Sequence, residues 1–327
     1  MRLSVIVPVR DGARFLERTL PDLVASLPQG ADVIVSDDGS RDGSADVALR
    51  AGARVVRSDV AAGPAAARNR GAREAKGEVL VFLDADCRVH TDTLSKLTAA
   101  FEDPAVDATF GSYDAQPEAR SWVSLYKNLA HHFVHQRSAA EASTFWAACG
   151  ALRATAFRAL DGFDEGYERP SIEDVELGYR LRRAGHRIRL VREAQVTHLK
   201  RWTFLGLLAA DLCDRAIPWA RLWHAGHALP HELNFTAADR AASALVALGL
   251  VLSAARCFVP FTTSGVAACF LLALALDAPL LRFLGRSVSP AFVPAAAVLQ
   301  LLHRMAGLAG LAIGFLLPAL PRRPPAT

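Results

Sequence analysis

Val79-Leu80-Val81-Phe82-Leu83-Asp84-Ala85-Asp86-Cys87 is the stretch that decides how this chain reads. Its five leading apolar residues predict a short strand buried on both faces, and the run stops at two aspartates one residue apart. In a parallel α/β sheet, ligands collect beyond the carboxyl ends of the strands. Asp84 and Asp86 would there set hard oxygen ligands where a divalent cation and a diphosphate can meet. Taken alone, an Asp-x-Asp reads more simply as a solvated strand-to-loop turn.

The segments upstream change that balance. Residues 3–9 and 32–36 predict two further buried strands, and 54–57 a third, shorter one. Between them Phe15, Leu16, Leu20, Leu23, Val24 and Leu27 keep a helical period, residues 44–51 form a helix stopped by Gly52, and an Ala-rich helix covers 65–75. This alternation predicts a doubly wound sheet with helices on both faces. The second strand ends in Asp37-Asp38-Gly39-Ser40, which by itself is a turn signal. Strand ends of one sheet share a rim, so Asp37, Asp38, Asp84 and Asp86 can face one crevice. Four carboxylates there repel unless a cation or donors compensate, and Arg68, Asn69 and Arg70 lie on the intervening helix.

Four motifs in this order carry a resemblance: Ser4-Val5-Ile6-Val7-Pro8-Val9, Val35-Ser36-Asp37-Asp38-Gly39-Ser40, Gly63-Pro64-Ala65-Ala66-Ala67-Arg68-Asn69-Arg70-Gly71 and Leu83-Asp84-Ala85-Asp86. They resemble glycosyltransferase family 2, of GT-A fold, over roughly residues 3–202. The resemblance implies a Rossmann-like, doubly wound mixed or parallel sheet. It also implies that Pro8, Asp37 and Asp38 hold the base and ribose of a nucleotide sugar, with Arg68 as a further donor. Asp84 and Asp86 would bind Mn2+ or Mg2+ bridging the diphosphate, which neutralises the leaving group. Phe145-Trp146-Ala147-Ala148-Cys149-Gly150 resembles the segment beneath the donor sugar, and Leu160-Asp161-Gly162-Phe163-Asp164-Glu165 is also typical.

Ser171-Ile172-Glu173-Asp174 fits a helix capping box, with Ser171 and Asp174 as its ends. It also resembles the Glu-Asp pair of the family. That likeness makes Asp174, with Glu173 beside it, the general base an inverting transfer needs opposite the leaving group. In Gln195-Val196-Thr197-His198-Leu199-Lys200-Arg201-Trp202, His198 resembles a further metal ligand. Arg201 and Trp202 fit the end of a Gln-x-x-Arg-Trp pattern that engages diphosphate and acceptor, but His198 stands where that pattern has Gln or Arg, which weakens a processive reading. The plainer reading of His198, a surface histidine, is the lesser of the two. His131, His132 and His135 read as a wet helix face rather than a metal site.

At 327 residues the chain allows about two domains, and its 52% apolar content is unevenly spread. The expected division is a catalytic domain over 1–202, amphipathic interfacial helices over 203–236, two or three transmembrane helices within 237–320, and a tail at 321–327. The spans fall at 241–255, 257–276 and 294–320, the last carrying His303-Arg304, and Arg282 and Arg286 lie between the last two. A net charge of +4 without a lysine stripe gives no ground for nucleic acid. Five scattered cysteines with no C-x-x-C predict reduced thiols, and the start of the chain shows no leader pattern. The expectation is a multi-pass enzyme of the cytoplasmic membrane with its catalytic domain on the cytoplasmic side. It would move a sugar from a nucleoside-diphosphate sugar to a lipid, lipid-linked or glycan acceptor. Alternatives are a polyprenyl-phosphate glycosyltransferase, whose phosphate acceptor needs no base, and a catalytically inert membrane scaffold of the same fold.

Overall fold

A computed structural model describes residues 1–226, 236–255 and 263–318. The described chain divides into two units. In chain order the first contains β1 (Leu3–Val9), α1 (Ala13–Ala25), β2 (Asp32–Asp38), α2 (Ser44–Arg50), β3 (Arg54–Ser58), α3 (Pro64–Glu74), β4 (Val79–Leu83), β5 (Cys87–Val89), α4 (Thr93–Ala99) and β6 (Val106–Tyr113). Helix α5 (Trp122–Arg137) belongs to the second unit. The first unit resumes with β7 (Glu141–Ala142), β8 (Cys149–Arg153), α6 (Ala154–Ala159), α7 (Glu173–Arg183) and β9 (Arg187–His198).

The strands form one mixed sheet in the order β3-β2-β1-β4-β8-β6-β9-β5, with β7 paired to β9. β3, β2, β1 and β4 run parallel, whereas β8 is antiparallel to both β4 and β6. Alternate strand residues feed two cores, as the two-residue period of a strand requires. Val5, Val7 and Val81 pack with Leu16, Leu20 and Leu23 on one face. Ile6, Leu80 and Phe82 pack with Phe157, Phe163, Leu177 and Leu181 on the other. Burial on both sides explains why these strands read as continuous apolar runs.

The second unit continues with α8 (Phe204–Ala209), a π-helical segment (Ala210–Ala216), α9 (Ile217–His224), α10 (Ala237–Ala255), α11 (Thr263–Leu276), α12 (Ala278–Ser287) and α13 (Val293–Leu316). Its core joins Leu125, Tyr126 and Leu129 of α5 to Leu207, Leu284, Phe292 and Leu299. α10 and the stretch Pro290–Leu316 are long and apolar enough to cross a membrane, and α11 with α12 forms a pair bent by 62°. The start of the expected 257–276 span and the tail at 321–327 lie outside the described residues.

Three local expectations are corrected. The run from Phe204 to Trp223 is helical with a π-helical stretch in its middle, but Asp211 does not face a surface: it points inward to Lys127 (2.6 Å) and to His303 (2.7 Å). Arg282 and Arg286, expected on the connection between the last two spans, sit on a helix of their own, α12. The histidines of α5 do not make a wet face, since His135 is buried and its ring lies 4.1 Å from that of His131.

Candidate active site

Every acid-tipped strand end of the parallel half points to one edge of the sheet. A cavity of about 450 Å3 opens there, lined by Pro8, Asp38, Arg68, Asp84, Asp86 and Lys200 among others. Asp38 is buried and its carboxylate accepts from the amides of Ala62 (3.0 Å) and Gly63 (2.8 Å) and from Arg70 (3.1 Å). Asp37 lies deeper. One of its oxygens accepts from the Ser40 amide at 2.9 Å and the other is buried without a hydrogen bond. Asn69, expected as a donor to these acids, instead ties down the 161–165 loop through Phe163 and Glu165.

Arg68 is the pivot. Its guanidinium donates to Asp84 (2.8 Å) and to Glu173 (2.7 Å), bridging the end of β4 and the start of α7. The paired carboxylates raise the Arg68 pKa against the cost of its own burial. Burial pushes Asp84 up despite Arg68, and the neighbouring Asp86 adds to the rise. Arg68→Met would strand two carboxylates in a poorly hydrated site. It is expected to destabilise the protein by ~3–5 kcal/mol, seen as a lower melting temperature of the detergent-solubilised full chain.

Asp86 and His198 meet because β5 pairs antiparallel with β9, placing Cys87 opposite His198, while the Leu199 amide donates to the Asp86 carbonyl at 2.9 Å. His198 Nε2 lies 3.4 Å from Asp86 Oδ2. Burial opposes ionisation of Asp86, but the imidazole beside it and the Lys200 ammonium more than compensate and hold its pKa low. Tyr113 stacks on the His198 ring at 4.5 Å and meets Trp146 edge-on at 4.9 Å. Among the described residues no cluster of three or more His, Cys, Asp or Glu side chains forms a ready metal cage. The Asp86–His198 pair still fits a small divalent cation, which characteristically takes one or two protein ligands and fills its shell with phosphate oxygens and water.

Asp174 is tied to the same region by β8. The Ala148 carbonyl accepts from the Asp84 amide at 3.2 Å, and the Ala147 amide donates to Asp174 at 3.0 Å. Withdrawal from water, reinforced by Glu173, pushes Asp174 up to about 7 against the pull of the Ala147 amide and Arg68. The capping box does not form as expected. α7 begins at Glu173, whose carboxylate accepts from the Ser171 amide at 2.9 Å. Gly178 lets α7 approach the 144–147 segment, because a Cβ there would sit 2.7 Å from the Thr144 backbone. Gly178→Ala is therefore expected to cost ~1–3 kcal/mol in thermal melting, and to loosen the Ala147–Asp174 bond.

Arg201 and Trp202 belong to the second unit, where the Trp202 amide donates to Ser124 at 2.8 Å and Lys127 lies 5.6 Å from the Trp202 ring centre. Sequence reasoning missed Lys200, Tyr113 and Trp146 as neighbours of the acids. Tyr113 is brought there by strand register, which single-strand patterns do not state, and Trp146 by the turn that leads into β8.

The mixed sheet with acid-tipped strands around one cavity has a GT-A-like architecture. Residues 4–161 match the family model for glycosyl transferase family 2. The chain is 33% identical over 231 residues to a pre-mycofactocin glycosyltransferase of Mycobacterium tuberculosis, covering 65% of this chain and 48% of that protein. It is 31% identical over 228 residues to a validoxylamine A glucosyltransferase of Streptomyces hygroscopicus, covering 59% and 50%. The chain thus spans about half the length of these curated relatives. In fold it is similar to the mannosyltransferase PcManGT from Pyrobaculum calidifontis, solved with GDP-Man and Mn2+. The TM-score is 0.62 at 21% identity, over 91% of this chain and 86% of that one.

Proposed function

We propose that this protein is a membrane-associated, inverting glycosyltransferase, dependent on Mn2+ or Mg2+. It takes a sugar from a nucleoside-diphosphate donor and passes it to a lipid or lipid-linked acceptor at the cytoplasmic face. The observation that carries this reading is Arg68, whose one guanidinium ties the Asp-x-Asp strand to the helix bearing the candidate base. The names of both curated relatives, as glycosyl and glucosyl transferases, agree with it.

In this reading Pro8, Asp37 and Asp38 line the nucleoside end, Asp38 by its fixed carboxylate. Asp84, Asp86 and His198 hold the cation, with Asp84 kept in place by Arg68. The cation's contribution is to offset the negative charge that grows on the departing diphosphate. Lys200, at the cavity wall, adds a positive charge for the same oxygens. Asp174 accepts the proton of the acceptor hydroxyl as that oxygen attacks the anomeric carbon, and a carboxyl poised near 7 suits that task. Assignment of Arg201 and Trp202 to diphosphate and acceptor rests on their sequence pattern.

The test is a panel of UDP-, GDP- and dTDP-sugars added to membranes carrying the full chain. Release of nucleoside diphosphate is read with and without a chelator. Release that is donor-selective and chelator-sensitive supports the reading, whereas release from no donor sinks it.

A further inference from the structure

A buried ion cluster sets a level in the helical unit. Arg304, midway along α13, is only 7% exposed. It donates to Asp277 at 2.9 Å, to the Asp239 carbonyl at 3.0 Å and to Ser243 at 3.0 Å. Asp239 lies in the first turn of α10, and Asp277 directly follows α11. From that point α10 and α11 run antiparallel, since Gly249 faces Cys269 and Phe270 while Gly265 faces Leu252. Arg304 therefore marks the open base of a helical hairpin.

Charge and apolar exposure separate along the two helices, and Arg256 is the one charged residue in the sequence that connects them. Beyond Arg240 neither α10 nor α11 carries a charged residue, and Leu248, Val251, Leu271 and Leu272 are exposed. At the base stand exposed Arg240 and, past the 62° bend, Arg282 and Arg286 of α12. The 19 residues of α10 reach about 28 Å, close to the ~30 Å hydrocarbon core.

α13 is apolar too, but its partners are not. Gln300 bonds Tyr126 of α5, and His303 bonds Asp211, which also holds Lys127. Further on, Gly310 and Gly314 contact Ala216 and Ala220, and Arg221 donates to the Pro318 carbonyl at 3.0 Å. If α13 crossed the hydrocarbon it would draw Lys127, Asp211 and Arg221 in with it, and ionisable side chains are costly at membrane depth.

We infer that the α10–α11 hairpin is the bilayer-inserted element of the described residues, with Arg304 at headgroup depth and α13 lying along the interface. Its exposed Val298, Ile313 and Phe315 face the outer acyl region. This rests on the membrane reading above. It means that the segments before α10, between α12 and α13, and after α13 share one side of the membrane.

The test uses the full chain in a bacterial inner membrane, in a Cys213→Ser, Cys257→Ser background. Single cysteines at Ala238 and Ser287 are probed with an impermeant maleimide from each face, and a green fluorescent protein is fused after Thr327. The expected result is labelling of Ala238→Cys and Ser287→Cys from the same face only, with the fusion folded and fluorescent on that face. Ser287→Cys labelled from the opposite face, or the fusion located there, overturns the inference while leaving membrane attachment intact. Release of the chain by alkaline carbonate overturns both.

Discussion

Alanine at Asp86 is expected to lower sugar transfer by ~10²–10³-fold without unfolding the protein. Asp86 is the acid of the pair whose pKa is held low, and it faces His198 at 3.4 Å. Its removal leaves an imidazole without its anionic partner and, in the proposed reaction, takes away a carboxylate that would hold the cation. Asp84→Ala should act differently, because Asp84 is bonded to Arg68 and its loss also frees the guanidinium from the β4 end. The check is nucleoside diphosphate release by each variant at saturating cation, alongside thermal melting. Full activity in Asp86→Ala with an intact donor would remove Asp86 from the mechanism.

The second large effect belongs to Asp174. Asp174→Asn keeps the shape of the side chain but cannot take a proton, so kcat should fall by ~10²–10⁴-fold while donor KM changes little. The sign of the pH dependence follows from the raised pKa. A base works as the carboxylate, so the wild-type rate should be lost as pH falls through about 7, not through the usual aspartate range. Asp174→Asn should abolish that limb. If the variant transfers sugar at the normal rate, the acceptor is a phosphate that needs no deprotonation, and the polyprenyl-phosphate reading takes over.

Much of the sheet was legible because its chemistry is local. Strands such as Val79–Leu83 are buried on both faces and therefore announce themselves as apolar runs. The acids at their tips follow from the same register. What could not be read is what the tertiary fold supplies. Arg68 and Glu173 lie 105 positions apart, and no spacing rule predicts their bond. Tyr113 reaches His198 only because β6 and β9 pair through two register shifts. The capping box at Ser171 failed because Glu173, not Asp174, reaches back to the Ser171 amide. Similarly, the charge pattern of residues 204–223 suggested a surface, but a buried partner such as Lys127 turns Asp211 inward.

Gly63 carries a consequence for how this protein can change. Its backbone is held at φ +95°, its amide is committed to Asp38, and a Cβ there would collide with the Glu168 carbonyl. Two wall segments of the donor cavity are thus interlocked like a hook and eye. Divergence toward a new nucleotide sugar should proceed by paired substitutions in both segments. Libraries that randomise 59–63 alone should return mostly inactive clones, whereas joint libraries with 166–170 should yield altered donor preference.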